Sequence, residues 1–278
     1  MSLRKRSVRT IAASSILGLT AGTAAVVGLA APASADAGSF ICGTPIGDQT
    51  FAAEISIGAT TIAGGNTPMN ATFTIPSGLA DLMRGVLGTT EVGGKATGAN
   101  TAGSKASPSS LNIKREEIPT SGDVPLAGKG TAKVPGTVGS TVEVAAGPHE
   151  LAMNFYDAAG AATPFSVSCT PDGDFAIGST KIVKATSKAA VGVKYTAKSK
   201  NAAVTAKFSS NGAPATGKVQ ILIKKGKKTV GKRMVALKKQ TARASFKIKQ
   251  KGKYTAIATY KGSANVKGSS AKKAFTAR

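Results

Sequence analysis

Lys218-Val219-Gln220-Ile221-Leu222-Ile223-Lys224-Lys225-Gly226-Lys227-Lys228 reads as one strand and the turn that ends it. Val219, Ile221 and Ile223 fall on one side of a period-two pattern and Lys218, Gln220 and Leu222 on the other, before the chain runs into Lys225-Gly226. Alternation at that period marks a half-buried strand, and a glycine set among lysines marks a hairpin tip. The pattern recurs on the C-terminal side: Phe246 and Ile248 alternate with Lys247 and Lys249, and Tyr254, Ala256, Ala258 and Tyr260 alternate with Thr255, Ile257 and Thr259. Turns at Asn211-Gly212, Lys225-Gly226, Lys251-Gly252 and Lys261-Gly262 recur at the spacing of an antiparallel sandwich, with room for about seven strands in residues 176–278.

Charge separates this stretch from what precedes it. The chain has 278 residues and a formal net charge of +24, from 37 Lys and Arg against 13 Asp and Glu. Residues 36–175 hold seven basic and all 13 acidic residues, net −6, whereas residues 176–278 hold 23 Lys and three Arg with no acidic residue, net +26. Such asymmetry predicts a boundary, placed at the turn-forming Pro171-Asp172-Gly173-Asp174. An average segment of this length carries about a dozen acidic residues. Lysines protect sheet edges from pairing, but interspersed charges would protect them equally, and self-repulsion lowers the stability of a compact body. A charge pattern with that cost points to a polyanionic partner. Lysine in place of arginine supplies mobile point charges rather than bidentate forks, so the attraction is expected to be broad and salt-sensitive.

The densest basic stretch is Lys224, Lys225, Lys227 and Lys228, followed by Lys232 and Arg233, Lys238 and Lys239, and the alternating Lys247, Lys249, Lys251 and Lys253; these are the candidate polyanion-binding residues. The aromatics Tyr195, Phe208, Phe246, Tyr254, Tyr260 and Phe275 fall mainly on apolar strand positions, which assigns them to the core rather than to base stacking. No specific nucleic-acid partner is expected.

Residues 1–35 read as a cleaved signal peptide: Arg4, Lys5, Arg6 and Arg9 form a basic start, an Ala-, Gly- and Thr-rich apolar run follows, and Ala33-Ser34-Ala35 offers the small residues of a cleavage site. The apolar run is long enough for an uncleaved anchor, but its composition makes a weak permanent span. The mature chain is expected to start at Asp36, to be secreted, and to contain no transmembrane segment. Its end, Ser269 to Arg278, shows no apolar tail and no sortase motif. Export favours pairing of the two cysteines, Cys42 and Cys169, both at the ends of alternating segments, so that a disulfide brackets the acidic half; two free buried thiols are the alternative.

Within residues 36–175 the period is mostly two, clearest where Ala71, Phe73 and Ile75 share one side and where Leu151, Met153 and Phe155 do. Leu79, Leu82, Met83, Val86 and Leu87 follow a helical spacing after Pro76-Ser77, predicting one short helix laid on the sheet. Residues 93–110, rich in Gly, Ala, Ser and Thr, show no period and are expected to form a long mobile loop. The fold class expected is all-β in two domains: an N-terminal antiparallel β-sandwich with one short helix at 36–175, and a C-terminal sandwich of about seven strands at 176–278.

Pro214-Ala215-Thr216-Gly217-Lys218-Val219, Gly252-Lys253-Tyr254-Thr255-Ala256 and Tyr260-Lys261-Gly262, followed by Ser269, resemble the bacterial immunoglobulin-like repeats of secreted and surface proteins. The resemblance implies an immunoglobulin-like fold for roughly residues 180–278. Ser263 stands where those repeats usually have Asp, Val266 stands at an aromatic position, and the strong basic charge is foreign to them. The N-terminal half is similar to an uncharacterised secreted actinobacterial family in its early Cys, Gly-rich middle and closing Cys169-Thr170-Pro171, which implies a non-catalytic surface module.

Catalytic material is scarce. One His and two Cys exclude a zinc site built from several such ligands. His149, after Gly147-Pro148 and beside Glu150, is expected at an exposed turn, and no Gly-x-Ser-x-Gly elbow accompanies it. Glu116-Glu117 are chain neighbours whose side chains point apart in a strand, and Asp172-Gly173-Asp174 reads as a linker turn. No enzyme activity, metal or cofactor is expected. The favoured function is a secreted or wall-associated module whose basic half binds anionic envelope polymers, such as teichoic acids, or anionic lipid surfaces. The alternative is a glycan-acting enzyme or carbohydrate-binding accessory in the N-terminal half.

Overall fold

The computed structural model describes residues 36–278, so the signal-peptide reading lies outside the described residues. The first strands are β1 (Asp36–Thr44), β2 (Gly47–Ile57), β3 (Thr60–Ile62) and β4 (Thr67–Ile75), followed by the helix α1 (Ser77–Leu87). Then come β5 (Thr89–Ala102), β6 (Lys105–Glu117), β7 (Val124–Ala132), β8 (Thr141–Ala145), β9 (His149–Asp157), β10 (Ala162–Pro171) and β11 (Ala176–Val183). The basic part supplies β12 (Ser187–Thr196), β13 (Asn201–Ser210), β14 (Lys218–Lys225), β15 (Lys228–Ala236), β16 (Thr241–Lys247), β17 (Gly252–Gly262) and β18 (Lys267–Ala277). Apart from α1 the described residues are all-β, as expected.

The acidic half is a barrel. β5, β6, β7, β4, β2, β1, β10 and β9 pair in that order, and β9 pairs back onto β5, so eight antiparallel strands close on themselves. Eight strands leave an interior that side chains alone can fill, and Phe40, Phe51, Ile55, Phe73, Leu126 and Leu151 are buried there. This corrects the sandwich expected for residues 36–175. Alternating burial is the same in both architectures; what separates them is whether the edge strands pair. The strands that close the ring, β5 and β6, include the residues 93–110 expected as a mobile loop. Within 93–110 the inward positions are small or polar, among them Ala96, Asn100, Ser107 and Ser109, so that stretch carries no hydrophobic period, while the larger inward residues Val92, Leu111 and Ile113 lie outside it.

Two glycines of β5 are there because neighbours occupy the space of a side chain. A Cβ at Gly94 would strike the Ala152 carbonyl, and one at Gly98 would strike the His149 ring, both on the paired strand β9. Gly98→Val therefore overpacks the wall and is expected to lower stability by about 1–3 kcal/mol. Thr97→Val, on the exposed face, stays within about 0.5 kcal/mol of the parent. Urea midpoints of the two variants check the difference.

Helix α1 has the predicted extent, starting after Pro76 and ending at Gly88, whose φ of 59° accepts the left-handed cap. Leu79, Ala80 and Met83 are buried, but Leu82, Val86 and Leu87 stay exposed, so only part of the expected stripe lies on the sheet.

The charge boundary falls one strand short of the structural one. β11 pairs antiparallel with β8 and parallel with β3, and its Ile177 and Ile182 belong to the barrel's hydrophobic cluster. A second cluster begins at Ala185. Charge composition records the surface, whereas strand membership follows burial, and β11 is basic outside and apolar inside. The two parts touch where the Ala213 amide donates to the Ala63 carbonyl at 2.7 Å.

Beyond β11, β12-β13-β16 form one sheet and β15-β14-β17-β18 another, all antiparallel. Both contribute to one cluster, with Val204 and Phe208 from the first sheet and Val219, Ile221, Ile223 and Tyr260 from the second. Phe208, Phe246, Tyr254 and Tyr260 are buried, and Tyr195 and Phe275 pack against the same cluster, so these aromatics serve the core.

Candidate anion-binding pole

Strands β12, β14 and β16 run in one direction, so the connections that follow them meet at one end of the basic part. Three contacts tie these connections together. The Ile248 amide donates to the Lys200 carbonyl at 2.8 Å. Lys247 Nζ donates to the Ser199 carbonyl at 3.1 Å, and Lys225 Nζ donates to Gln250 Oε1 at 3.0 Å and the Lys251 carbonyl at 3.1 Å.

Eight of the twelve expected residues gather here: Lys224, Lys225, Lys227 and Lys228 at the β14–β15 turn, and Lys247, Lys249, Lys251 and Lys253 around the connection from β16 to β17. The other four are elsewhere. Lys232 and Arg233 lie midway along β15, opposite Leu222 and Ile221, with the Arg233 guanidinium 5.7 Å from the centre of the Phe246 ring. Lys238 and Lys239 sit at the opposite end, in the tight turn in which Lys238 and Thr241 exchange two backbone hydrogen bonds. Sequence reasoning chose by local density and missed Lys198 and Lys200, which the turn after β12 brings to the pole. The available signal was Lys198-Ser199-Lys200 at the end of an alternating strand.

The pole has no internal counter-charge, since residues 176–278 contain no Asp or Glu. Among the described residues the ion pairs, Arg84–Asp81, Lys114–Glu116 and Arg115–Glu91, are all in the barrel. Lys225 and Lys247 are held by neutral oxygens instead, so their positions are set while their charge stays uncancelled. The outer face of β12-β13-β16 adds exposed Lys188, Lys194, Lys207 and Arg243, so cationic potential surrounds the body and concentrates at one end.

The barrel interior holds the remaining chemistry. Cys42 and Cys169 form a disulfide across paired positions of β1 and β10, as expected. His149 is not at an exposed turn: it opens β9 and is 3% exposed. Turn residues precede it, but the strand pairing of β9 with β5 and β10 takes its ring into the barrel. A carbonyl only accepts, so Nδ1 carries the proton and donates to the Gly147 carbonyl at 2.7 Å, leaving Nε2 to accept from the Ser109 hydroxyl at 3.2 Å. Phe40 packs edge-on at 5.6 Å and Phe73 at 6.2 Å between ring centres. Burial pushes the imidazole pKa below its usual 6.5, against the smaller opposing effect of the Gly147 bond. A hydroxyl and an imidazole are thus adjacent, but no carboxylate orients the ring and both groups are committed inside the wall.

Glu116 and Glu117 are exposed at the end of β6, opposite Val92 and Glu91. Asp172 is tied to β1, its amide donating to the Ser39 carbonyl at 2.9 Å and its carboxylate accepting from the Ser39 hydroxyl at 3.2 Å. Among the described residues no group of three or more His, Cys, Asp or Glu is placed to hold a metal ion. No helix among them is long and apolar enough to cross a membrane.

No protein-family model and no curated protein matches the sequence. Among solved structures, the β-glucuronidase of Ruminococcus gnavus is similar over 88% of this chain and 44% of its own, at 10% identity and a TM-score of 0.23. The chain therefore spans less than half the length of that enzyme, and at this TM-score the likeness carries no argument.

Proposed function

We propose that the protein is a secreted, non-enzymatic module whose basic part is immunoglobulin-like and holds it to anionic polymers or anionic lipid surfaces of the cell envelope. The observation that carries this reading is an ordered, two-sheet body in which 25 basic residues from Lys184 onward meet no carboxylate side chain. Its seven strands place the first, second and fifth in one sheet and the third, fourth, sixth and seventh in the other. That order supports the immunoglobulin-like assignment, with the fourth strand on the side of the third. The Cys42–Cys169 bond supports export, since disulfides persist in oxidising compartments.

Attraction of this kind weakens as salt shortens the screening length from about 8 Å at physiological ionic strength to about 3 Å at 1 M. Washing cells with rising NaCl is expected to release the full secreted chain well below 1 M. Retention unchanged in 1 M NaCl contradicts the proposal. In parallel, soluble wall polymer or anionic vesicles raise the melting temperature of the basic part, because a ligand bound only by the folded form stabilises it.

A further inference from the structure

The basic pole contains more than a diffuse field. Lys225, Lys228, Lys247 and Lys249 surround a depression of about 310 Å³ whose remaining wall includes Val230, Ile248 and Tyr254. Two of its ammonium groups are already immobilised. Lys225 Nζ spends two of its three protons on Gln250 Oε1 and the Lys251 carbonyl, and lies 5.7 Å from the centre of the Tyr254 ring. Lys247 Nζ is held by the Ser199 carbonyl. An ordinary surface lysine gives up rotamer freedom when it is fixed on a ligand; these two are fixed beforehand, by partners that leave the charge intact. Tyr254 is itself held in place, its hydroxyl donating to the Gln250 carbonyl at 2.7 Å.

The dimensions and chemistry select the occupant. Ligand pockets run from about 300 to 1,000 Å³, and this one lies at the small end, room for one repeating unit and not for a folded chain. Ammonium groups converging from two separate connections meet a compact anion as a set of point charges, the way lysine binds phosphate, without the planar fork of a guanidinium. The apolar wall beside them suits a short carbon skeleton. We propose that this pocket binds one phosphate ester group of a polyol- or sugar-phosphate chain, with Lys225 and Lys247 on the phosphate and Ile248 and Val230 against the attached carbons. The proposal rests on the polyanion reading above and narrows it to a phosphate-bearing polymer.

The test titrates glycerol 3-phosphate, poly(glycerol phosphate) and polyglutamate into the secreted chain at 50 mM NaCl, following backbone amide shifts and affinity. Three double variants accompany the parent. K225Q/K247Q removes the immobilised ammonium groups. K228Q/K249Q removes exposed ones, keeping the pocket testable if the first pair fails to fold. K188Q/K194Q removes the same charge from the outer face of β12. Saturable one-to-one binding of glycerol 3-phosphate, with shifts confined to residues 225–230 and 247–254, is expected. K225Q/K247Q should weaken it at least tenfold, K228Q/K249Q severalfold, and K188Q/K194Q less than twofold. Shifts spread over the whole lysine surface, or equal weakening by K188Q/K194Q and a pocket pair, overturn the pocket while polymer binding stands. Failure of the parent chain to bind any of the polyanions overturns the broader reading as well.

Discussion

Reduction of the Cys42–Cys169 disulfide lowers the melting temperature of the barrel by roughly 10–20 °C and leaves the transition of the basic part in place. The bond joins β1 to β10 and closes a sequence separation of 127 residues. On the chain-entropy view, a loop of that length restricts the unfolded ensemble by as much as about 5 kcal/mol. For a body of this size each kcal/mol corresponds to roughly 2–4 °C. The basic part has no cysteine and its own hydrophobic cluster, so it provides an internal reference. Calorimetry with and without reductant, or of the C42S/C169S variant, checks the result. Two transitions that fall together, or a barrel transition that does not move, contradict it.

The barrel also loses stability as the medium is acidified from pH 7.5 to 5, because of His149. Its partners are the Gly147 carbonyl and the Ser109 hydroxyl, and its neighbours are Phe40, Phe73, Gly98 and the disulfide at Cys169; none carries a charge that would welcome an imidazolium. The folded pKa lies below 6.5, so the unfolded chain takes up the proton first. The contribution is therefore complete above about pH 6.5, declines as pH falls through that value, and levels off below the folded pKa. Its slope cannot exceed about 1.4 kcal/mol per pH unit. H149A costs about 3 kcal/mol at pH 7.5, by the cavity left among the aromatic rings and by loss of the Ser109–Nε2 bond, which leaves that hydroxyl only the Gly98 carbonyl at 3.4 Å. H149Q keeps much of the volume, restores a side-chain amide to the hydroxyl and flattens the profile between pH 7.5 and 5. Urea midpoints at the two pH values separate these effects, and a slope that survives H149Q assigns the pH dependence to other groups.

Those two groups show how unevenly the sequence disclosed the molecule. Cysteine pairing and helix α1 were legible because each rests on a local signal: two cysteines at the ends of alternating segments for one, helical spacing after Pro76 for the other. The basic part was legible because Val219, Ile221 and Ile223 bury one face against Lys218 and Gln220 on the other, so its period is hydrophobic. Barrel closure was hidden because β5 and β6 turn Ala96, Asn100, Ser107 and Ser109 inward, where long-range pairing and not hydrophobic content decides burial. His149 was misread for the same reason, since the turn before it is local and the strand pairing that buries it is not. For the pole, lysine density located Lys224 to Lys228 but could not show that Lys198 and Lys200, far back in the chain, arrive beside Lys247.

Residues 184–278 contain neither an imidazole nor a carboxyl side chain. Such groups are the ones that ordinarily exchange protons between roughly pH 4 and 8, so this part of the molecule is electrically silent to acid across that span. Souring of the surroundings therefore leaves the charge of this part unaltered, and under the proposed anion binding any change with pH would come from the partner. A phosphodiester partner would keep the hold flat with pH, whereas a phosphomonoester, which gains a proton near pH 6, would loosen. If the proposed binding holds, its acid response would thus report on the chemistry of the bound anion.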